Sequence, residues 1–181
     1  MIDYYSQYTT TYLLERKSEP KGVLRNYLKL MKTRNTPVHR LRSDEHGVIW
    51  EPTASYNPGQ NGVAERCFRT LFETRAILTS AKLPARLWRE TIMTVTYLKN
   101  RSPTTALDQM TPYKAWYGKK PDLSYLHTFK CIAYHHVKGA RRKLDDKSLK
   151  CQFLGCEGVN QFRLWNGKKV LISSHVQWDK V

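Results

Sequence analysis

NPGQNGVAER, residues 57–66, is the stretch on which the fold turns. Its first half is a loop by composition, with Pro58, Gly59 and Gly62 set among amide side chains. Its second half opens a helix at about Val63, and Glu65 falls in the first turn with Arg66 beside it. Upstream, VIWEPTA (48–54) and PVHRLRSD (37–44) have the content of short strands, the latter ending on Asp44. Before them Ser18 is placed to cap a helix with Pro20 in its first turn. Leu24, Tyr27, Leu28 and Met31 line one face of that helix and Lys21, Arg25, Lys29 and Lys32 the other, until Asn35-Thr36-Pro37 breaks it. YTTTYLL (8–14) reads as a strand before it. The order β, α, β, β predicts an α/β sheet.

Outward toward the C-terminus, one long helix is predicted from about Val63 to Ala81. Ala64, Cys67, Phe68, Leu71 and Leu78 share a face that Arg75 interrupts. A second helix follows Pro84 with Leu87, Trp88, Thr91, Ile92, Val95 and Leu98 inward, ending at Asn100-Arg101-Ser102-Pro103. Residues 104–128 read as a turn-rich linker with one short helix. From about 129 the pattern changes to short strands: CIAYHHV, LKCQFLGCE, QFRLWN and KVLISSHVQW. Asn166-Gly167 is a two-residue hairpin signal between the last two. Strands at that density predict a small barrel. The expected division is therefore 1–103, a linker at 104–128, and a barrel at 129–181.

The chain has 181 residues and a formal net charge of +16, with 31 Lys and Arg against 15 Asp and Glu. Such a surplus favours polyanions, nucleic acid ahead of an acidic membrane surface, although a soluble protein that is merely basic has the same composition. No stretch approaches the length of a membrane span, and MIDYYSQYTT lacks the basic-then-apolar order of a signal peptide. The expectation is a soluble intracellular protein that is not secreted. Cys67, Cys131, Cys151 and Cys156 form no CxxC pair and read as core thiols rather than zinc ligands. His135-His136 in a strand read as packed or solvated.

An aspartate at a strand end and a glutamate opening a nearby helix could share a divalent metal, with Mg²⁺ the natural choice for oxygen ligands. Each has a plainer reading: Asp44 as a turn former, Glu65 as a favourable charge at the helix dipole. A resemblance bears on the choice. LRSD (41–44), YNPGQNGVAER (56–66), RTLFETRA (69–76), LPARLWRET (83–91), YLKNRSP (97–103) and TPYKAWYGKKPDLSYL (111–126) are together similar to the integrase of copia-type LTR retrotransposons. KLDDKSLKCQFLGCEG and the final strands resemble that family's SH3-like small barrel. The resemblance implies an RNase H-like core carrying two aspartates and a glutamate that bind Mg²⁺ and join element ends to DNA, followed by the SH3-like barrel. Asp44 matches the second aspartate and Glu65 the glutamate, making these the implied catalytic and metal residues. Gln60 and Asn61 match the loop that approaches DNA, with Arg66 and Arg69 nearby to meet phosphates. The basic run 138–150 offers Arg141, Arg142 and Lys143 to phosphate, or is a solvated loop. DNA as partner, a possible homo-oligomer and nuclear action follow from the same resemblance, and no membrane partner is expected.

The sequence departs from the family in three ways. The family's first catalytic aspartate lies upstream of the segment matched by MIDYYSQ, and Asp3 matches a non-catalytic neighbour. LRSD runs directly into EHGVIWEPTA, so that only 20 residues separate Asp44 from Glu65 and a loop and helix are missing at Asp44–Glu45. The helix after Glu65 is one residue short near Thr74-Arg75. The expected fold is thus an incomplete RNase H-like core plus an SH3-like barrel, and the expected function that of an integrase fragment inactive in strand transfer by itself. Two alternatives stay open: a non-catalytic, nucleic-acid-binding protein retained by a host, and an integrase whose missing segments lie in the adjoining coding DNA.

Overall fold

A computed structural model describes residues 1–36, 38, 41–43, 50–52, 62–137, 146–158 and 160–179, with only the backbone at 42, 43 and 50–52. The chain forms two compact units, one of residues Thr11–Arg69 and one of Met1–Thr10 with Thr70–Val181.

In the first unit α1 (Pro20–Thr33) starts where proline costs nothing, since its missing N–H would have no helical partner. The N-cap is Glu19 rather than Ser18, and no side chain caps the helix. The Glu19 carboxylate instead accepts the Glu15 N–H at 2.9 Å. The apolar stripe is as expected, with Met31 buried and Leu24, Tyr27 and Leu28 half-buried. The helix ends as Asn35 turns to φ 53° and the Thr36 N–H reaches back to the Met31 carbonyl. Two short strands follow, β1 (Leu41–Ser43) and β2 (Trp50–Pro52), paired parallel with Leu41 opposite Trp50 and Ser43 opposite Pro52. Six residues join them. A parallel pair ordinarily needs a crossover of a dozen or more, most often a helix.

The helix expected over 63–81 is two. α2 (Gly62–Phe72) and α3 (Thr74–Ser80) are separated at Glu73, whose carbonyl accepts from Ala76 and Ile77. The break carries Arg75 outward. The buried positions become Cys67, Leu71, Thr74 and Leu78, while Phe68 is exposed. The strand expected at 8–14 is replaced by a single bridge between Ile2 and Thr9. The Thr9 peptide is taken by a side chain: its N–H donates to Asn100 Oδ1 at 2.8 Å, and its carbonyl accepts from Asn100 Nδ2 at 2.7 Å.

Asn100 belongs to α4 (Trp88–Arg101), which a 3-10 turn at Ala85–Leu87 introduces. The inward face of α4 is more polar than expected. Thr91, Thr94, Thr96 and Asn100 are buried, whereas Trp88 and Leu98 are exposed. Thr91 Oγ1 donates to the Leu87 carbonyl and Thr94 Oγ1 to that of Leu154, so burial leaves neither hydroxyl unpaired. Within 104–128 lies α5 (Pro112–Tyr117), capped by Thr111 Oγ1 and closed by Gly118 at φ 72°. Its Trp116 stacks on Tyr8 with centroids 5.4 Å apart.

Five antiparallel strands complete this unit: β3 (Ile132–His136), β4 (Ser148–Cys156), β5 (Phe162–Trp165), β6 (Val170–Ser173) and β7 (Val176–Trp178), in the order β6-β5-β4-β3-β7. The expected last strand is therefore two, since the chain turns at Ser174-His175 and β7 pairs with β3. The β5–β6 connection has four residues, not two. Asn166 Oδ1 accepts from the Lys168 and Lys169 N–H groups and holds the turn. The run Phe153–Cys156 is wholly buried, because both faces of β4 are covered. On one side Phe153, Cys156, Phe162 and Leu164 pack with Trp178 and Tyr97. On the other Leu154 and Trp165 pack against Leu78 and Leu87 of the helical layer.

Candidate functional site

The first turn of α2 presents the one described carboxylate of the expected pair. Glu65 is exposed beside the positive end of the helix dipole, and Arg69 lies one turn on, in the favourable Glu-before-Arg order. Arg66 is exposed as well. A Cβ built on Gly62 would lie 3.3 Å from Arg66 Nη1, so the guanidinium folds back over the glycine that opens the helix. Cys67 and Leu71 anchor the opposite face by burial. Glu65, Arg66 and Arg69 are thus exposed along one side of α2.

Asp44, Gln60, Asn61, Arg141, Arg142 and Lys143 lie outside the described residues. The described residues therefore supply one oxygen ligand of the set that Mg²⁺ requires, which does not make a metal site, and no step is derived through the ion. Among those same residues no three His, Cys, Asp or Glu side chains converge. Asp3 has a local task, accepting the Ser6 N–H at 2.7 Å and the Ser6 hydroxyl at 2.6 Å. His135 Nδ1 sits 2.8 Å from Ser173 Oγ, tying β3 to the end of β6, and His136 is exposed. Burial pushes the thiols of Cys131, Cys151 and Cys156 up, which keeps them in the weakly nucleophilic protonated form. Burial also lowers the pKa of His127, whose ring stacks on Trp178 with centroids 3.5 Å apart.

The charged centre that sequence reading passed over is Arg163 on β5. It is 5% exposed. Its Nη1 is 2.8 Å from Glu157 Oε2, its Nη2 donates to Thr94 Oγ1 at 3.1 Å, and its Nε lies 3.1 Å from Glu90 Oε2. The last is an ion pair without hydrogen-bond alignment, as that N–H has no hydrogen-bond partner. The group fastens α4 to the sheet and faces no open surface, so its role is structural. In sequence it sits within QFRLWN, where strand alternation gives no sign of a helix carboxylate opposite.

Comparison with known proteins places these elements. Residues 131–181 match the family model described as the retroviral polymerase SH3-like domain, and these residues hold all five strands of the antiparallel sheet. The homologues of the chain as a whole are retrovirus-related Pol polyproteins of plant copia-type transposons. One is that of transposon TNT 1-94 from Nicotiana tabacum, 38% identical over 97% of this chain and 15% of the relative. Others are those of transposons RE1 and RE2 from Arabidopsis thaliana, 29% and 28% identical over 99% of this chain and 14% of each relative. The chain spans about one-seventh of the length of these relatives. The TNT 1-94 match runs over 197 positions, although 97% of 181 residues is fewer than 180, so about twenty positions of the relative have no counterpart here.

Proposed function

We propose that this polypeptide derives from the integrase region of a copia-type Pol polyprotein, that it binds DNA or other nucleic acid through its basic surface, and that by itself it does not catalyse strand transfer. In this reading residues 1–103 descend from an RNase H-like core and the C-terminal sheet is the SH3-like barrel that follows it. Nuclear action belongs to the same ancestral role. Mg²⁺ belongs to the intact core, where Asp44 and Glu65 would be two of its carboxylate ligands and the ion would supply charge stabilisation for phosphoryl transfer.

The observation that carries the reading is the internal shortfall. About twenty positions of the relative are missing, and β1 and β2 run parallel with six residues between them. Both fit the loss of a crossover segment at Asp44–Glu45, beside one of the two carboxylates. A metal-bridged pair must be held to well under an ångström to orient a displacement. Removing the element that leads away from Asp44 takes away that support.

The test is a joining assay. The purified chain is incubated with Mg²⁺, a duplex ending in the element's terminal sequence and a supercoiled target, and joined products are counted against a Glu65→Gln control. The expected result is no product above the control. Robust Mg²⁺-dependent joining that Glu65→Gln abolishes would overturn the inactive reading.

A further inference from the structure

We propose that the solvent face of α1 is a phosphate-tracking surface for duplex nucleic acid; this deepens the nucleic-acid-binding reading above and rests on it. Lys21, Arg25, Lys29 and Lys32 recur at intervals of four, four and three residues, and all four are exposed. At 100° per residue they occupy an arc of about 80°, and at 1.5 Å per residue they extend over about 16 Å. One DNA strand passes a phosphate every ~3.4 Å of helix axis, so the ridge runs alongside four or five phosphates.

A solvated helix face interleaves acids with bases. This one does not. PKGVLRNYLKLMKT contains no acidic residue, and among the described residues none of the four cations meets a carboxylate in an ion pair. Three successive like-charge neighbours, 21/25, 25/29 and 29/32, repel one another one turn apart. Lys21 stands in the first turn, at the positive end of the dipole, where a cation disfavours the helix. Glu19 stands before the helix as its N-cap, and its carboxylate accepts the Glu15 N–H. The arrangement therefore works against the helix that carries it, and a polyanion laid along the face would relieve that repulsion.

The polar side is otherwise small. Gly22 is exposed, and a Cβ there would meet nothing within 4 Å, so a sugar–phosphate backbone can come close to the helix. The opposite face is not available to a lipid bilayer. Met31 is buried and Leu24, Tyr27 and Leu28 are half-buried within the protein, whereas a membrane-surface helix needs its apolar face free.

The test uses the full 181-residue chain and a labelled 20-base-pair duplex of arbitrary sequence, with affinity measured by anisotropy across a salt series. In one variant Lys21, Arg25, Lys29 and Lys32 are all changed to Gln, a substitution neutral for helix propensity that removes the repulsion. A second variant changes the exposed Lys119, Lys120, Lys168 and Lys169 to Gln. Circular dichroism checks that both fold. The α1 variant is expected to lose about three to four units of log–log salt slope and to bind about 10²–10³-fold more weakly at 0.1 M salt, the second variant far less. Equal losses in both variants, or a loss only in the second, overturn the α1 surface and leave the nucleic-acid reading standing. A wild-type chain without salt-dependent duplex binding overturns that reading and the α1 surface with it. Retention of anionic vesicles through the α1 cations, without duplex binding, does the same.

Discussion

At Gly155 a single missing methyl group lets a helix touch a strand. The residue lies in β4 where the ladder to β5 slips between Phe153 and Gly155, so the strand bulges toward α4. A Cβ built there would fall inside the contact radius of Thr94 Oγ1 and lie 2.9 Å from Arg163 Nη2. Neither neighbour can yield freely. Thr94 donates to the Leu154 carbonyl, and Arg163 is held by Glu157 and Glu90. Gly155→Ala is accordingly expected to lower unfolding free energy by about 3 kcal/mol, the upper part of the range for overpacking a tight site. Urea denaturation measures it, and an unchanged midpoint would mean that the helix–strand approach is looser than described.

The same contact illustrates what could be read from the residues and what could not. The strand runs from Ile132 onward were legible because β-branched and aromatic residues alternate with turn signals, although the division of the last run at Ser174-His175 was not. The inward face of α4 was legible only in part. Apolar periodicity found Leu87 and Thr91 but also pointed to Trp88 and Leu98, which are exposed, and it missed the buried Thr94 and Asn100. The hydroxyl and amide groups of Thr91, Thr94 and Asn100 are satisfied by carbonyls of Leu87, Leu154 and Thr9, two of them distant in sequence. No local pattern announces such partners. The break at Glu73 was half legible, since Arg75 interrupted the apolar face but continuity of the helix was assumed. Of the candidate site, Glu65, Arg66 and Arg69 sit on a helix turn as expected, while Asp44, Gln60 and Asn61 lie outside the described residues.

Among the elements β7 is the short edge of the sheet, and an aromatic ring secures it. His127, from the segment before β3, stacks on Trp178 and meets the edges of Phe153 and Phe162 at about 6 Å. Burial disfavours the charged ring, so its pKa in the folded protein lies below the ordinary 6.5. The unfolded chain then takes up a proton at this ring near pH 6.5 while the folded chain resists. The stability it contributes is full above pH 6.5 and is lost as the pH falls below it. His127→Phe should flatten the fall in stability between pH 7 and 5 relative to the parent. An identical pH profile in the variant would show that the ring protonates in place without disturbing β7.

For the whole molecule, a formal +16 on 181 residues favours polyanions. The relatives are retrovirus-related Pol polyproteins, and residues 131–181 match the retroviral polymerase SH3-like domain. Among the described residues no helix is long and apolar enough to cross a membrane. Holding nucleic acid needs only cations on a folded surface, whereas joining it needs carboxylates fixed around metal. The measurement that separates them most directly is the affinity of the purified chain for duplex DNA across a salt series, run once in Mg²⁺ and once in EDTA at matched ionic strength. Binding that falls steeply and linearly in log–log form, with the same slope and affinity in both buffers, is the expected result. Binding that vanishes in EDTA, or that is indifferent to salt, would contradict a metal-independent, phosphate-directed role for this polypeptide.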